Sequence, residues 1–128
     1  MKSAITVILM LSLLILTVSC TPRLTGIAIE PYYKGGALVL NPDGHETAQF
    51  KATGKYSDGS TKDITAKVSW ISTNPGAVSI SSTGLATAKK FGEANIIARS
   101  GLIFSKPAPV EAAGHPTPSY PPGFRPNP

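Results

Sequence analysis

The chain has 128 residues, room for one domain, and its 12 Lys and Arg against 7 Asp and Glu give a formal net charge of +5. Those charges are scattered, with no basic run and no basic stripe interleaved with aromatics, so no nucleic-acid partner is expected. The single cysteine, Cys20, excludes a disulfide within the chain.

Residues 1–19 are expected to be a lipoprotein signal peptide. Lys2 supplies a positive n-region, and Ala4 to Val18 is almost wholly apolar. That run is short for a membrane span, which needs about 20 residues, and suits a secretory h-region. Leu16-Thr17-Val18-Ser19-Cys20 resembles the bacterial lipobox, in which a small residue precedes the cysteine that becomes a lipidated N-terminus. Thr17 departs from the pattern, which most often has leucine there. The resemblance implies acylation at Cys20 and a membrane partner through more than one acyl chain. Thr21 follows the cysteine where an aspartate would retain the protein at the inner membrane. Its absence points to the outer membrane or cell surface of a bacterium. Lys2 leaves with the leader, which lowers the formal charge from +5 to about +4.

Residues 20–23 form a short tether, and β patterning fills 24–105. Thr25, Ile27 and Ile29 alternate and stop at Pro31. From Ala48 to Tyr56, Ala48, Phe50, Ala52, Gly54 and Tyr56 share one face, opposite Gln49, Lys51, Thr53 and Lys55. Val68 and Trp70, Val78 and Ile80, and Ala94, Ile96 and Ala98 repeat the alternation. Such a period of two describes half-buried antiparallel strands. Turn chemistry falls between them at Asn41-Pro42-Asp43-Gly44, Ser57-Asp58-Gly59, Asn74-Pro75-Gly76 and Ser82-Thr83-Gly84. The pattern predicts an all-β antiparallel sandwich with Phe50, Val68, Trp70, Val78, Ile80 and Ile96 in its core. Trp70, the one tryptophan, is placed at the centre of that core. Leu102-Ile103-Phe104 reads as a curtailed last strand with an open edge.

Residues 106–128 hold eight of the 12 prolines. Proline has no ladder donor, so this stretch is expected to be a disordered, extended tail without strand or helix. It would be a spacer or a docking strip.

The ordered strand motifs resemble the bacterial immunoglobulin-like group 2 domains found in intimin- and invasin-type surface proteins. The residues carrying the resemblance are Leu24 to Pro31, Gln49 to Gly54, Tyr56 to Ser60, Asp63 to Thr65 and Val68 to Pro75. Val78 to Ile80, Gly84 to Ala88 and Gly92 to Ala98 complete it. The resemblance implies an immunoglobulin-like sandwich that binds or spaces at the cell surface, with function in its loops.

No nucleophile motif or convergent acid–base pair is present, so no enzymatic activity and no cofactor are expected. His45 and His115 are not at metal-ligand spacing. Asp58 and Asp63 are too few for a calcium site, which wants six to eight oxygens, so no metal is expected. Tyr32, Tyr33, Asp58, Gly59, Asn74 and Gly76 are the candidate binding-loop residues. The expected function is noncovalent adhesion to, or recognition of, a protein or glycan at the envelope. A structural spacer whose tail touches the cell wall is the alternative.

Overall fold

The computed structural model describes residues 20–114. The expected signal peptide, residues 1–19, and the part of the tail from His115 onward lie outside the described residues. Eleven strands follow in chain order: β1 (Leu24–Glu30), β2 (Leu38–Leu40), β3 (Thr47–Gln49), β4 (Lys51–Tyr56), β5 (Thr61–Asp63), β6 (Ser69–Ser72), β7 (Val78–Ile80), β8 (Leu85–Ala88), β9 (Gly92–Ser100), β10 (Ile103–Phe104) and β11 (Ala108–Ala112). No helix occurs among the described residues.

One layer contains β1-β4-β5 and β3-β8-β7, both antiparallel. The other runs β10-β9-β11-β2, with β6 also paired to β9. β2 lies parallel to β11, while β11 is antiparallel to β9. This is an all-β sandwich of immunoglobulin-like architecture.

The single strand expected from Ala48 to Tyr56 is two strands joined at Phe50. β3 pairs with β8 and β4 pairs with β1, so the chain changes partners between them. At the junction the Phe50 N–H donates to the Gly84 carbonyl at 2.7 Å. The predicted face survives the switch. Phe50, Ala52 and Gly54 are buried, and Ala48 and Tyr56 are half-buried. Period-two alternation therefore reported side-chain direction correctly while saying nothing about partners.

The largest fully buried side chains are Phe50, Ile96, Val78 and Val110. Val68 is buried too, and Ile80 is a half-buried neighbour of this core. Trp70 does not hold the centre. It is partly buried against the flank, its ring 6.2 Å from that of Phe50 at 58°. Its Nε1–H donates to the Thr65 carbonyl at 3.0 Å. An indole N–H needs a partner when desolvated, which favours the edge of a core lined elsewhere by alanine.

The expected tail boundary is wrong within the described residues. Residues 106–112 are not a strandless segment, because β11 pairs with both β9 and β2. Ala108, Val110 and Ala112 are 2 %, 1 % and 2 % exposed, a buried face with period two. Two features accommodate the prolines. Pro107 lies in the gap between β10 and β11, where no ladder donor is required. Pro109 stands opposite Asn95, whose N–H donates to Thr73 Oγ1 at 2.8 Å and whose carbonyl accepts the Thr73 N–H at 3.1 Å. The backbone of Asn95 faces β6, so β9 asks no donor of Pro109. The strand that looked curtailed at Phe104 is thus continued by β11, whose outer side is paired at Val110–Ala112 by β2, a strand lying in the long link after Pro31.

Candidate functional site

The end of β1 and the residues that follow it form the concave surface with the most unengaged chemistry. The Glu30–Pro31 peptide bond is cis. Beyond it Tyr32 and Tyr33 are 46 % and 53 % exposed. Neither phenol makes a side-chain hydrogen bond to another described residue. Tyr32 is shared by two adjoining depressions. One, of about 280 Å³, is lined by Ile27, Ala28, Ile29, Tyr32, Lys55 and Lys106. The other is wider and shallower, lined by Glu30, Pro31, Tyr32, Tyr33, Gln49 and Lys51.

Each wall has a local cause. β1 is the outer strand of its sheet, with no strand of the described residues hydrogen-bonded along its far side. Lys51 and Lys55 project outward from β4 because alternation sends Ala52 and Gly54 inward. Lys106 is brought alongside by the gap between β10 and β11. Gln49 is held by its Nε2, which donates to the carbonyls of Phe50 and Thr83, both at 2.8 Å. The groove thus combines aromatic faces with three ammonium groups and one carboxylate, Glu30, which stands opposite Lys51 in the strand pairing. Aromatic faces of this kind stack on apolar surfaces or sugar rings, and lysines meet anionic groups.

The other candidate loop residues are placed elsewhere. Asp58 and Gly59 form the tip of the β4–β5 hairpin, at the start of β1, where the Ser57 N–H donates to the Arg23 carbonyl at 2.8 Å. Asp58 Oδ1 accepts the Ser60 hydroxyl at 2.6 Å and the Ser60 N–H at 2.9 Å. Those bonds, the hydroxyl first, hold its carboxyl below the usual range. Gly59 has φ +83°, the left-handed turn position. Asn74 turns the chain between β6 and β7, accepting the Ala77 N–H at 3.1 Å and donating from Nδ2 to the Glu93 carbonyl at 3.1 Å. Gly76 is exposed in the same turn.

Turn formation therefore occupies Asp58, Gly59 and Asn74, and leaves the two tyrosines as the unengaged pair. Asp63 behaves as Asp58 does. The Thr65 hydroxyl at 2.6 Å and the Thr65 N–H at 2.9 Å lower its pKa, with the hydroxyl as the larger cause. No group of three or more His, Cys, Asp or Glu side chains that could hold a metal occurs among the described residues. Lys51, Lys55 and Lys106 were missed as site residues because strand partners, not sequence spacing, bring them to one groove.

Residues 40–108 match the family model described as Bacterial Ig-like domain (group 2). The chain is also 38 % identical over 78 residues to Ice-binding protein 1 of Shewanella frigidimarina (strain NCIMB 400). That stretch is 61 % of this chain and 8 % of the relative, so the chain spans only a small part of the relative's length. The family match begins after β1, so Tyr32 and Tyr33 lie outside it while Gln49, Lys51, Lys55 and Lys106 lie within.

Proposed function

This chain belongs to the bacterial Ig-like domain (group 2) family, and we propose that it recognises a protein or glycan noncovalently at the bacterial envelope. In this reading a lipid on Cys20 anchors the sandwich, and the groove at Tyr32 and Tyr33 is the contact surface. The carrying observation is the pair of exposed tyrosines, whose phenols have no hydrogen-bond partner among the described residues, set among Lys51, Lys55 and Lys106. Members of such a family are binding or structural modules, which agrees with a site that offers contacts and no reacting group. The likeness to a Shewanella protein supports a surface or extracellular setting. Its name is not carried over as a ligand, because the shared stretch is so small a part of it.

Recognition is tested by capture of envelope proteins and polysaccharides with the purified chain, against a chain carrying Tyr32→Ala and Tyr33→Ala. Capture that falls about tenfold or more in the double variant supports the groove, since aromatic anchors dominate such contacts. Equal capture by both refutes it. Anchoring is tested separately with Cys20→Ser, which should move the protein from salt-washed membranes to the soluble fraction. Continued membrane fractionation of that variant, resistant to salt, would exclude the lipid.

A further inference from the structure

The end of the sandwich nearest Cys20 differs from the opposite end in its share of acidic residues. Lys106 shares a depression with Ala28, Ile29 and Tyr32, and β10, just upstream, packs against β1. The last strand therefore runs beside β1 in the same direction, and the β9–β10 turn lies at the end where Leu24 begins. At that turn Leu102 is 90 % exposed and Phe104 is 54 % exposed. Arg99 stiffens it, donating from Nε to the Gly101 carbonyl at 2.8 Å with its guanidinium 5.4 Å from the Phe104 ring centre. Leu102 is the most exposed large apolar side chain among the described residues, while Phe91, 64 % exposed, stands on the β8–β9 link at the other end.

Basic groups lie at the same end of the sandwich. Arg23 precedes β1, Lys67 precedes β6 where Ser69 faces Arg99, and Lys62 reaches over the ring of Tyr56, which pairs with Leu24. Asp58 is the carboxylate at this end, and Asp63 lies farther along, opposite Thr53. The remaining acidic side chains gather at the other end. Glu30 closes β1, and Glu93 and Glu111 face each other near the start of β9. Asp43 and Glu46 occupy the β2–β3 link beside the end of β8, where the Ala88 N–H donates to the Glu46 carbonyl. Lys89 and Lys90 stand at that far end too, so it is the scarcity of acidic residues that leaves the end nearest Cys20 the more positive one.

We infer that this end is a lipid-docking tip: Leu102 and Phe104 enter the headgroup region of an anionic bilayer while Arg23, Lys62, Lys67 and Arg99 meet its phosphates. An exposed leucine and phenylalanine on a rigid turn gain by leaving water, and each nearby cation gains by approaching an anionic leaflet. The inference complements the anchor reading but does not need a lipid on Cys20. It also fixes orientation, because a docked tip directs the far end, with the Tyr33 side of the groove, away from the membrane.

The test uses the exported chain bearing Cys20→Ser, which carries no lipid, in flotation with phosphatidylcholine vesicles with and without phosphatidylglycerol. The unlipidated chain should float with the anionic vesicles and stay behind with the neutral ones, and salt should weaken the binding. Leu102→Asp should lower vesicle affinity about tenfold or more, with an unchanged urea midpoint because the side chain is nearly free of the fold. Lys89→Gln with Lys90→Gln, on the β8–β9 link at the far end, should leave it unaltered. Failure of the Cys20→Ser chain to bind anionic vesicles overturns the inference, as does binding that survives Leu102→Asp. Neither result bears on the anchor, which is read from whether salt-washed membranes keep the unsubstituted chain and release the Cys20→Ser chain.

Discussion

The Ser105 hydroxyl accepts the Ala98 N–H at 2.9 Å, while the Ser105 N–H donates to the Ala98 carbonyl at 2.9 Å. One residue thereby satisfies both backbone groups of its neighbour on β9 at the point where the last strand is interrupted. The hydroxyl donates in turn to the Lys106 carbonyl at 3.0 Å, which holds the chain through the gap before Pro107. A side chain replaces a ladder bond that the irregular backbone cannot make.

Ser105→Ala should therefore destabilise the domain out of proportion to its size. It leaves the Ala98 N–H without a partner in a buried place, a loss of about 1–3 kcal/mol. Urea unfolding should show a lower midpoint with the same slope. A midpoint equal to that of the unsubstituted chain would mean that water or a neighbour fills the hydroxyl's role.

Truncation should distinguish the two parts of the proline-rich segment. Ending the chain after Gly114 keeps every strand of the described residues and should leave the melting temperature nearly unchanged. Ending it after Ser105 removes Ala108, Val110 and Ala112 and takes from β2 its only strand partner among the described residues. That shorter chain should give the circular dichroism of an unfolded protein. Cooperative melting of the shorter chain would show that β11 is dispensable.

Two glycines with positive φ should respond differently to alanine. At Gly84, φ +84°, an added Cβ would lie 2.6 Å from the Phe50 carbonyl oxygen, inside the junction between β3 and β4. At Gly59, φ +83°, it would meet nothing within 4 Å. Gly59→Ala should cost about 1 kcal/mol, the left-handed penalty alone. Gly84→Ala should cost about 3 kcal/mol or more, because backbone strain and a clash with main chain combine. Equal costs, measured by denaturant unfolding, would contradict the close approach.

Stability should fall on acidification through a defined pair of groups. Hydrogen bonds from Ser60 and Thr65 lower the folded pKa values of Asp58 and Asp63 below those of the unfolded chain. Carboxyls shifted in that direction contribute stability that is fully present above the unfolded value, about 3.9, and is lost as pH falls through the folded one. Both groups are exposed, so the effect is modest. The melting temperature should be level toward neutral pH and decline below about pH 4. Asp58→Asn together with Asp63→Asn should flatten that decline, and an identical acid limb in the double variant would place its origin elsewhere.

Much of the fold was legible because alternation is a local property. The inward positions Ile27, Ile29, Ala52, Val78, Ala94 and Ala98 can be read one strand at a time, and so can the turns at Asp58 and Asn74. Strand partners could not be read that way. The switch at Phe50 depends on the Gly84 carbonyl, which lies 34 positions away in sequence. Trp70 was misplaced because size alone suggests a central position, whereas its indole N–H required the Thr65 carbonyl at the flank.

By itself the sequence determined the class of structure, an all-β sandwich of the immunoglobulin kind, since a period of two punctuated by turn residues allows few alternatives. It also supplied the tyrosine pair as candidate contacts. The tertiary structure decided that residues 108–112 are a core strand despite Pro109, because the Asn95 backbone opposite that proline had already turned to Thr73. It decided too which lysines join the tyrosines, and that most acidic residues stand away from Cys20. Each of these depends on which strands lie side by side, and proximity of that kind is set by the packing of the whole domain.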